Sequence, residues 1–221
     1  MKGFFITVEG IEGSGKSVQV GLLASRLREE GYEIVVTREP GGTRIGEEIR
    51  NITHNPQNVE LTAASEAYLM AASRAQLVRE IIRPALLDGK IVIADRFIDS
   101  SLSYQGYGRE FGEDIIIRLN RLATDDVFPD LTIFLDVSPK VGFARRNNSG
   151  KKDRLDLQQK DFYRRVYEGY KKLAEKHKER YFIVDSSKSI EEVAQIIWNR
   201  VKKILIHHKT QSGRTLRKNK F

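Results

Sequence analysis

The chain has 221 residues, 40% hydrophobic and 31% charged, with no cysteine and a formal net charge of +8. That balance excludes an intrinsically disordered chain, and the lack of cysteine excludes disulfides, thiolate metal ligands and a cysteine nucleophile while fitting a reducing compartment. No apolar run reaches the roughly 18 residues of a membrane-spanning helix and the N-terminus carries no signal-peptide pattern, so a cytoplasmic protein with one main domain is expected.

In chain order, GFFITV at residues 3–8 is a short apolar run that enters a glycine loop, and the loop leads into a helical pattern from Val18 to Leu27. Glu33–Thr37 predicts a second strand, Ile91–Asp95 a third, Leu131–Asp136 a fourth and Tyr181–Asp185 a fifth. Each is apolar almost throughout, as parallel strands covered on both faces are. Helical patterns fall at about 44–53, 61–88, 113–125, 138–146, 156–178 and 189–206. Strands alternating with helices imply an open, doubly wound α/β fold: a five-stranded parallel sheet flanked by helices, with ligands beyond the carboxyl ends of the strands. The polar groups follow that rule, since glycine loop, Arg38, Asp95–Arg96 and Asp136 all end strands.

The domain is read as residues 1–206, followed by a basic tail at 207–221 that carries Lys209, Arg214, Arg217, Lys218 and Lys220 and no acidic residue. This tail supplies most of the excess positive charge. A solvated tail is the simpler reading; nucleic acid is not expected as a partner, although a contact through the tail stays open.

The loop Gly10-Ile11-Glu12-Gly13-Ser14-Gly15-Lys16-Ser17 fits G-x-x-x-x-G-K-[ST] between a strand and a helix, the context in which this spacing builds a phosphate cradle. Its glycines turn backbone N–H groups inward, the helix N-terminus adds partial positive charge, Lys16 reaches the β and γ phosphates, and the Ser17 hydroxyl suits Mg²⁺. One substrate is therefore a nucleoside triphosphate. There is no N-K-x-D motif for guanine, and Arg96 directly after Asp95 suggests an anionic second substrate.

VEGIEGSGKS, TREPGGT, ASRAQLV, DRFIDSSLSYQGYGR and ATDDVFPDLTIFLDV, in this order, resemble the thymidylate kinases of the nucleoside monophosphate kinase group, from about Gly3 to about Leu205. The resemblance implies a P-loop kinase that makes dTDP from dTMP and ATP with Mg²⁺, in dTTP synthesis, and that packs as a homodimer. It implies that Arg38, Arg96 and more weakly Arg50 bind the acceptor phosphate. Arg74 would hydrogen-bond thymine; Ser101, Tyr104 and Gln105 would line base and sugar, with Tyr104 excluding a 2′-hydroxyl. Glu12 would face the acceptor's 3′-hydroxyl, and Asp95 would orient Arg96 or the waters on Mg²⁺, making Ser17 and Asp95 the metal-site residues. Arg145, Arg146 and Arg154 belong to a basic lid at about 145–154 that supplies the cation missing from the loop, and the sequence does not rank them.

Two positions depart from the family pattern. Met70 stands where a phenylalanine usually stacks on the base, and Val18 where a threonine usually follows the loop serine. Tyr68 is a candidate to compensate for Met70. Two other readings follow: a monophosphate kinase with altered base choice, and a nucleotide-binding protein without turnover that uses its tail on nucleic acid.

Overall fold

The computed structural model describes residues 3–148 and 153–218. Its centre is a five-stranded sheet in the order β2-β3-β1-β4-β5, from β1 (Phe4–Glu9), β2 (Ile34–Arg38), β3 (Ile91–Asp95), β4 (Leu131–Asp136) and β5 (Tyr181–Asp185). All four pairings are parallel. The apolar runs of β1, β3 and β4 arise because both faces are covered, whereas the edge strands β2 and β5 leave Val36 and Ile183 exposed. Phe4, Ile6 and Val8 pack with Val20, Leu23 and Leu27 of α1 (Lys16–Glu29) and with Ile197 and Val201 of α9 (Ile190–Lys218). Phe5 points the other way, into a core shared with Leu77 of α3 (Ala63–Leu77) and with Val166 and Tyr170 of α8 (Lys160–Lys176).

Register builds the functional edge. Val8 and Arg38 are both partnered with Asp95, and Glu9 with Phe134, so the ends of β1, β2, β3 and β4 lie side by side. The remaining helices are α2 (Arg44–His54), α4 (Arg83–Leu87), α5 (Ile98–Ser101), α6 (Glu113–Thr124) and α7 (Pro139–Asn148). Thr43 starts α2 by accepting a hydrogen bond from the Gly46 N–H at 3.0 Å, an N-cap that satisfies one of the helix's free donors.

The structure differs from the sequence expectations in four places. The pattern at 61–88 is interrupted by a π turn at Val78–Ile82 before α4. Pro84 lacks an N–H and its ring would strike the carbonyl four residues back, and widening the preceding turn relieves both problems. Residues 98–108, for which no helix was expected, form α5 and a π segment, Leu102–Gly108. Gly106 and Gly108 give this stretch poor helix propensity; tertiary packing overrides it. A Cβ on Gly108 would sit 2.7 Å from the Phe162 ring of α8, so glycine permits the close approach. The pattern at 156–178 divides into a 3₁₀ turn, Arg154–Leu157, and α8. Finally, α9 does not stop near 206 but continues through the basic stretch to Lys218, and the His208 ring packs edge-on against Phe4 at 5.2 Å. Residues 149–152 of the expected lid and 219–221 of the tail lie outside the described residues.

Candidate active site

The glycine loop wraps the N-terminus of α1 with Gly10 at φ 147°, Gly13 at 74° and Gly15 at 91°. Lys16, almost fully buried, turns back over the loop and donates to the Ile11 carbonyl at 2.9 Å. Burial and the neighbouring Arg96 lower its ammonium pKa to about 8, so it is held close to the point of shedding charge unless anions come near. A Cβ on Gly13 would lie 2.1 Å from the Gly142 carbonyl of α7, in a backbone conformation other residues rarely adopt. Gly13→Ala is therefore expected to weaken ATP binding at least about tenfold, roughly 1.4 kcal/mol, by calorimetric titration, with the thermal midpoint reporting an intact fold.

Ser17 donates to the Asp95 carboxylate at 2.5 Å, so Asp95 turns to the loop serine and not to Arg96. Arg96, at φ 74°, is fixed from several sides. One guanidinium nitrogen donates to the Gly10 carbonyl at 2.8 Å and to the Tyr170 hydroxyl at 3.2 Å; the other donates to Glu12 at 2.5 Å and to the Tyr104 hydroxyl at 3.3 Å. Burial pushes the Glu12 carboxyl up, but Arg96, Lys16 and Arg146 outweigh it and bring it down to about 2. The Glu12 carboxylate, expected to face a sugar hydroxyl, is thus engaged by Arg96. Glu9, fully buried below, braces the turn: it accepts from the Phe97 N–H at 2.8 Å, Ser100 at 2.6 Å and Tyr170 at 3.0 Å.

A cleft of about 820 Å³ runs along this edge. It brings the loop together with Arg38, Arg50, Asp95, Arg96, Arg145 and Arg146. Arg38 is paired with Glu47 at 2.7 Å, and Arg50 donates to the Pro40 carbonyl at 3.1 Å. Arg145 donates to the Ser186 carbonyl at 2.8 Å and Arg146 to Asp153 at 3.0 Å. Arg154 is placed elsewhere: buried, it donates to the Thr53 carbonyl at 2.9 Å and to the Glu66 carboxylate, and it does not line the cleft. On the far side of the loop, a second cavity of about 350 Å³ lies among Gly15, Val18, Arg145, Ser186 and Lys188.

A third cavity gathers the expected acceptor residues Met70, Arg74, Ser101, Tyr104 and Gln105, with Glu12 and Arg96 at its mouth. Arg74 is buried, grips Glu39 with two guanidinium nitrogens, donates to Asn120 at 2.5 Å and lies over the Phe97 ring at 5.3 Å. Gln105 commits its amide N–H to Glu66 at 2.8 Å. Tyr68, the candidate to compensate for Met70, is two-thirds exposed and does not line this cavity. Sequence reasoning missed His54, which lines both this cavity and the cleft, together with the anchors Glu39 and Glu66. Glu39 stood inside REPGGT. Nothing local signalled the other two: the partners of Glu66 come from distant parts of the chain, and His54 meets the two cavities only through the placement of α2.

A phosphate loop at the end of β1, a basic cleft beside it and an acceptor cavity opening into that cleft define a P-loop phosphotransferase with two nucleotide seats. A thymidylate kinase family model matches residues 8–197. The thymidylate kinase of a Geobacillus species is 47% identical over 195 residues, covering 87% of this chain and 93% of that protein. That of Halothermothrix orenii is 46% identical over 211 residues, covering 93% of this chain and all of its own length. The crystal structure of thymidylate kinase from Ehrlichia chaffeensis superposes with a TM-score of 0.76 at 36% identity, covering 91% of this chain and 99% of that one. The chain belongs to the thymidylate kinase family.

Proposed function

We propose that the protein transfers the γ-phosphoryl group of ATP to dTMP, forming dTDP and ADP in dTTP synthesis. The observation that carries this reading is the meeting of two nucleotide seats at Arg96 and Glu12, which line both the acceptor cavity and the phosphate cleft. ATP lies along the loop with its base toward Ser186 and Lys188; dTMP enters the cavity with its base toward Met70 and Arg74 and its phosphate toward Arg38, Arg50 and Arg96. A phosphate oxygen of dTMP, already ionised at neutral pH, attacks the γ-phosphorus as the bond to the β–γ bridging oxygen breaks and ADP departs with its electron pair. No general base is needed, so the protein contributes position and positive charge.

Lys16 holds the β and γ phosphates, Arg96 the transferring group, and Arg145 and Arg146 approach from the lid side. The donor set of Ser17 and Asp95, two hard oxygens 2.5 Å apart, fits Mg²⁺, which binds through few protein ligands and completes its shell with phosphate and water oxygens. Bound there, it would offset charge on the phosphates. Among the described residues no helix is long and apolar enough to cross a membrane. Family membership is what supports a cytoplasmic homodimer.

Met70 beside Arg74 supports one second reading, a kinase with broadened base choice. ADP formation from ATP and Mg²⁺ with dTMP, dUMP, UMP or CMP separates the two. The expected result is a strong preference for dTMP, and equal rates on all four would overturn the assignment.

A further inference from the structure

The 38 Lys and Arg of the chain outnumber its 30 Asp and Glu, but not evenly along its length. Eight of the cations and none of the carboxylates follow Glu192, so residues 1–192 are electrically balanced and the whole net charge of +8 sits on residues 193–221. Phosphoryl transfer makes no use of it. The phosphate cleft and the acceptor cavity are built from earlier residues, and the family match ends at residue 197, before the first of these cations.

Helix α9 turns this charge into a surface. Val193, Ile197, Val201 and Leu205, each four residues apart, are buried and hold one stripe of the helix against the domain, while Arg200, Lys202 and Lys203 are exposed. Lys202 meets Glu30 at 3.4 Å and is still half exposed. The buried stripe ends at Leu205, but the helix continues through Lys209, Arg214 and Arg217 to Lys218. At 1.5 Å per residue, Arg200 to Lys218 spans roughly 27 Å. A single phosphate needs donors that converge, whereas a row of this length suits a linear polyanion.

The residue types narrow the choice of polyanion. Leu216 is the one large apolar residue between Lys209 and Lys218, so this stretch has no apolar face to bury among lipid chains. No Phe, Tyr or Trp lies between Arg200 and Lys220, so it also lacks the rings on which unpaired bases stack. A duplex needs neither. B-form DNA carries about one charge per 1.7 Å and its major groove admits a helix, while the major groove of duplex RNA is too narrow for one. We propose that α9 from Arg200 onward docks on the phosphate backbone of duplex DNA, without regard to sequence. The proposal goes beyond the kinase reading and does not rest on it.

The test is fluorescence anisotropy of a labelled DNA duplex of mixed sequence, roughly 20 base pairs long, titrated with the full-length protein. Saturating ADP keeps the DNA phosphates out of the cleft. Affinity should fall roughly 10³-fold between about 50 and about 200 mM salt, as expected for some six phosphate contacts. The full-length variant Lys209→Gln/Arg214→Gln/Arg217→Gln/Lys218→Gln should bind at least about tenfold more weakly near 100 mM salt. Its plot of log affinity against log salt should be shallower by about 3 to 4, with ADP formation from dTMP unchanged. Wild-type binding that is absent or nearly independent of salt overturns the proposal. So does an unchanged salt slope in the variant, which would put the DNA on another surface. Single-stranded DNA, duplex RNA or phosphatidylserine vesicles bound as tightly as the DNA duplex would overturn the assignment of the partner.

Discussion

Arg96→Met is expected to lower kcat about 10³-fold, the scale on which a guanidinium at the transferring phosphoryl group acts. Two effects add. Developing negative charge loses a fixed cation of the cleft, and Glu12, held ionised by Arg96 at 2.5 Å, is left as a bare carboxylate in the same cleft. The second effect predicts non-additivity: adding Glu12→Gln to Arg96→Met should restore activity, whereas Glu12→Gln in the wild-type background should lower it. Arg96→Lys should recover only part of the loss, since one ammonium cannot reach the Gly10 carbonyl, Glu12 and Tyr170 at once as the planar fork does. Steady-state ADP formation measures all four proteins, with thermal midpoints to show that each is folded. A loss of less than about tenfold in Arg96→Met would remove Arg96 from the reacting centre, by the conversion of about 1.4 kcal/mol per decade.

The positive φ of Arg96 shows why the side chain merits this weight. A residue other than glycine in that region is strained, and the surrounding contacts must hold it there. Glu9, Ser100 and Tyr170 form that surround, with Tyr170 reaching in from α8, far from the loop in sequence. This explains what could be read before the structure. The strands and the glycine loop were legible because short apolar runs, buried on both faces in β1, β3 and β4, and the phosphate spacing leave local traces. Arg38, Asp95 and Arg96 could be placed at one edge because each ends a strand.

What stayed hidden depends on distant pairs. Arg74 was read as a ligand to the base, but its grip on Glu39 spans 35 residues and has no periodic signal. Arg154 was grouped with Arg145 and Arg146 by the basic composition of a segment between two helices and by the family resemblance, yet it reaches 88 residues back to Glu66. The helix at 98–108 was hidden by its serines and glycines, whose low propensity is overcome only by α8. His54 went unnoticed because a lone histidine at a helix end leaves no spacing signal. Only the meeting of α2 with two cavities brings it to the site.

Glu66→Leu is expected to destabilise the fold by about 3–5 kcal/mol, lowering the thermal midpoint by roughly 10 °C for a domain of this size. Glu66 is fully buried and serves three donors: Gln105 at 2.8 Å, Arg109 at 2.9 Å and Arg154, itself almost without exposure. Leucine would leave the Arg154 guanidinium buried opposite an apolar chain. Removing both partners in Glu66→Leu/Arg154→Leu should cost less than the single change, because a missing charge is cheaper than an unpaired one. Function should suffer too, through Gln105, which loses its anchor inside the acceptor cavity; KM for dTMP should rise more than KM for ATP.

The pH dependence has a definite sign. Burial raises the Glu66 carboxyl pKa, but the hydrogen bond and charge of Arg109, with Arg154 and Gln105, outweigh it, so the folded value lies below the ordinary one. A group lowered in the folded state contributes fully above its unfolded pKa, about 4.3, and loses that contribution as pH falls through the folded value. The stability gap between wild type and Glu66→Gln should therefore be flat from neutral pH down to about 5 and close only below about 4.3. Denaturant unfolding across that range checks both the size and the sign. A gap that widens on acidification would mean that Glu66 is held protonated and that Arg154 is neutralised by some other group.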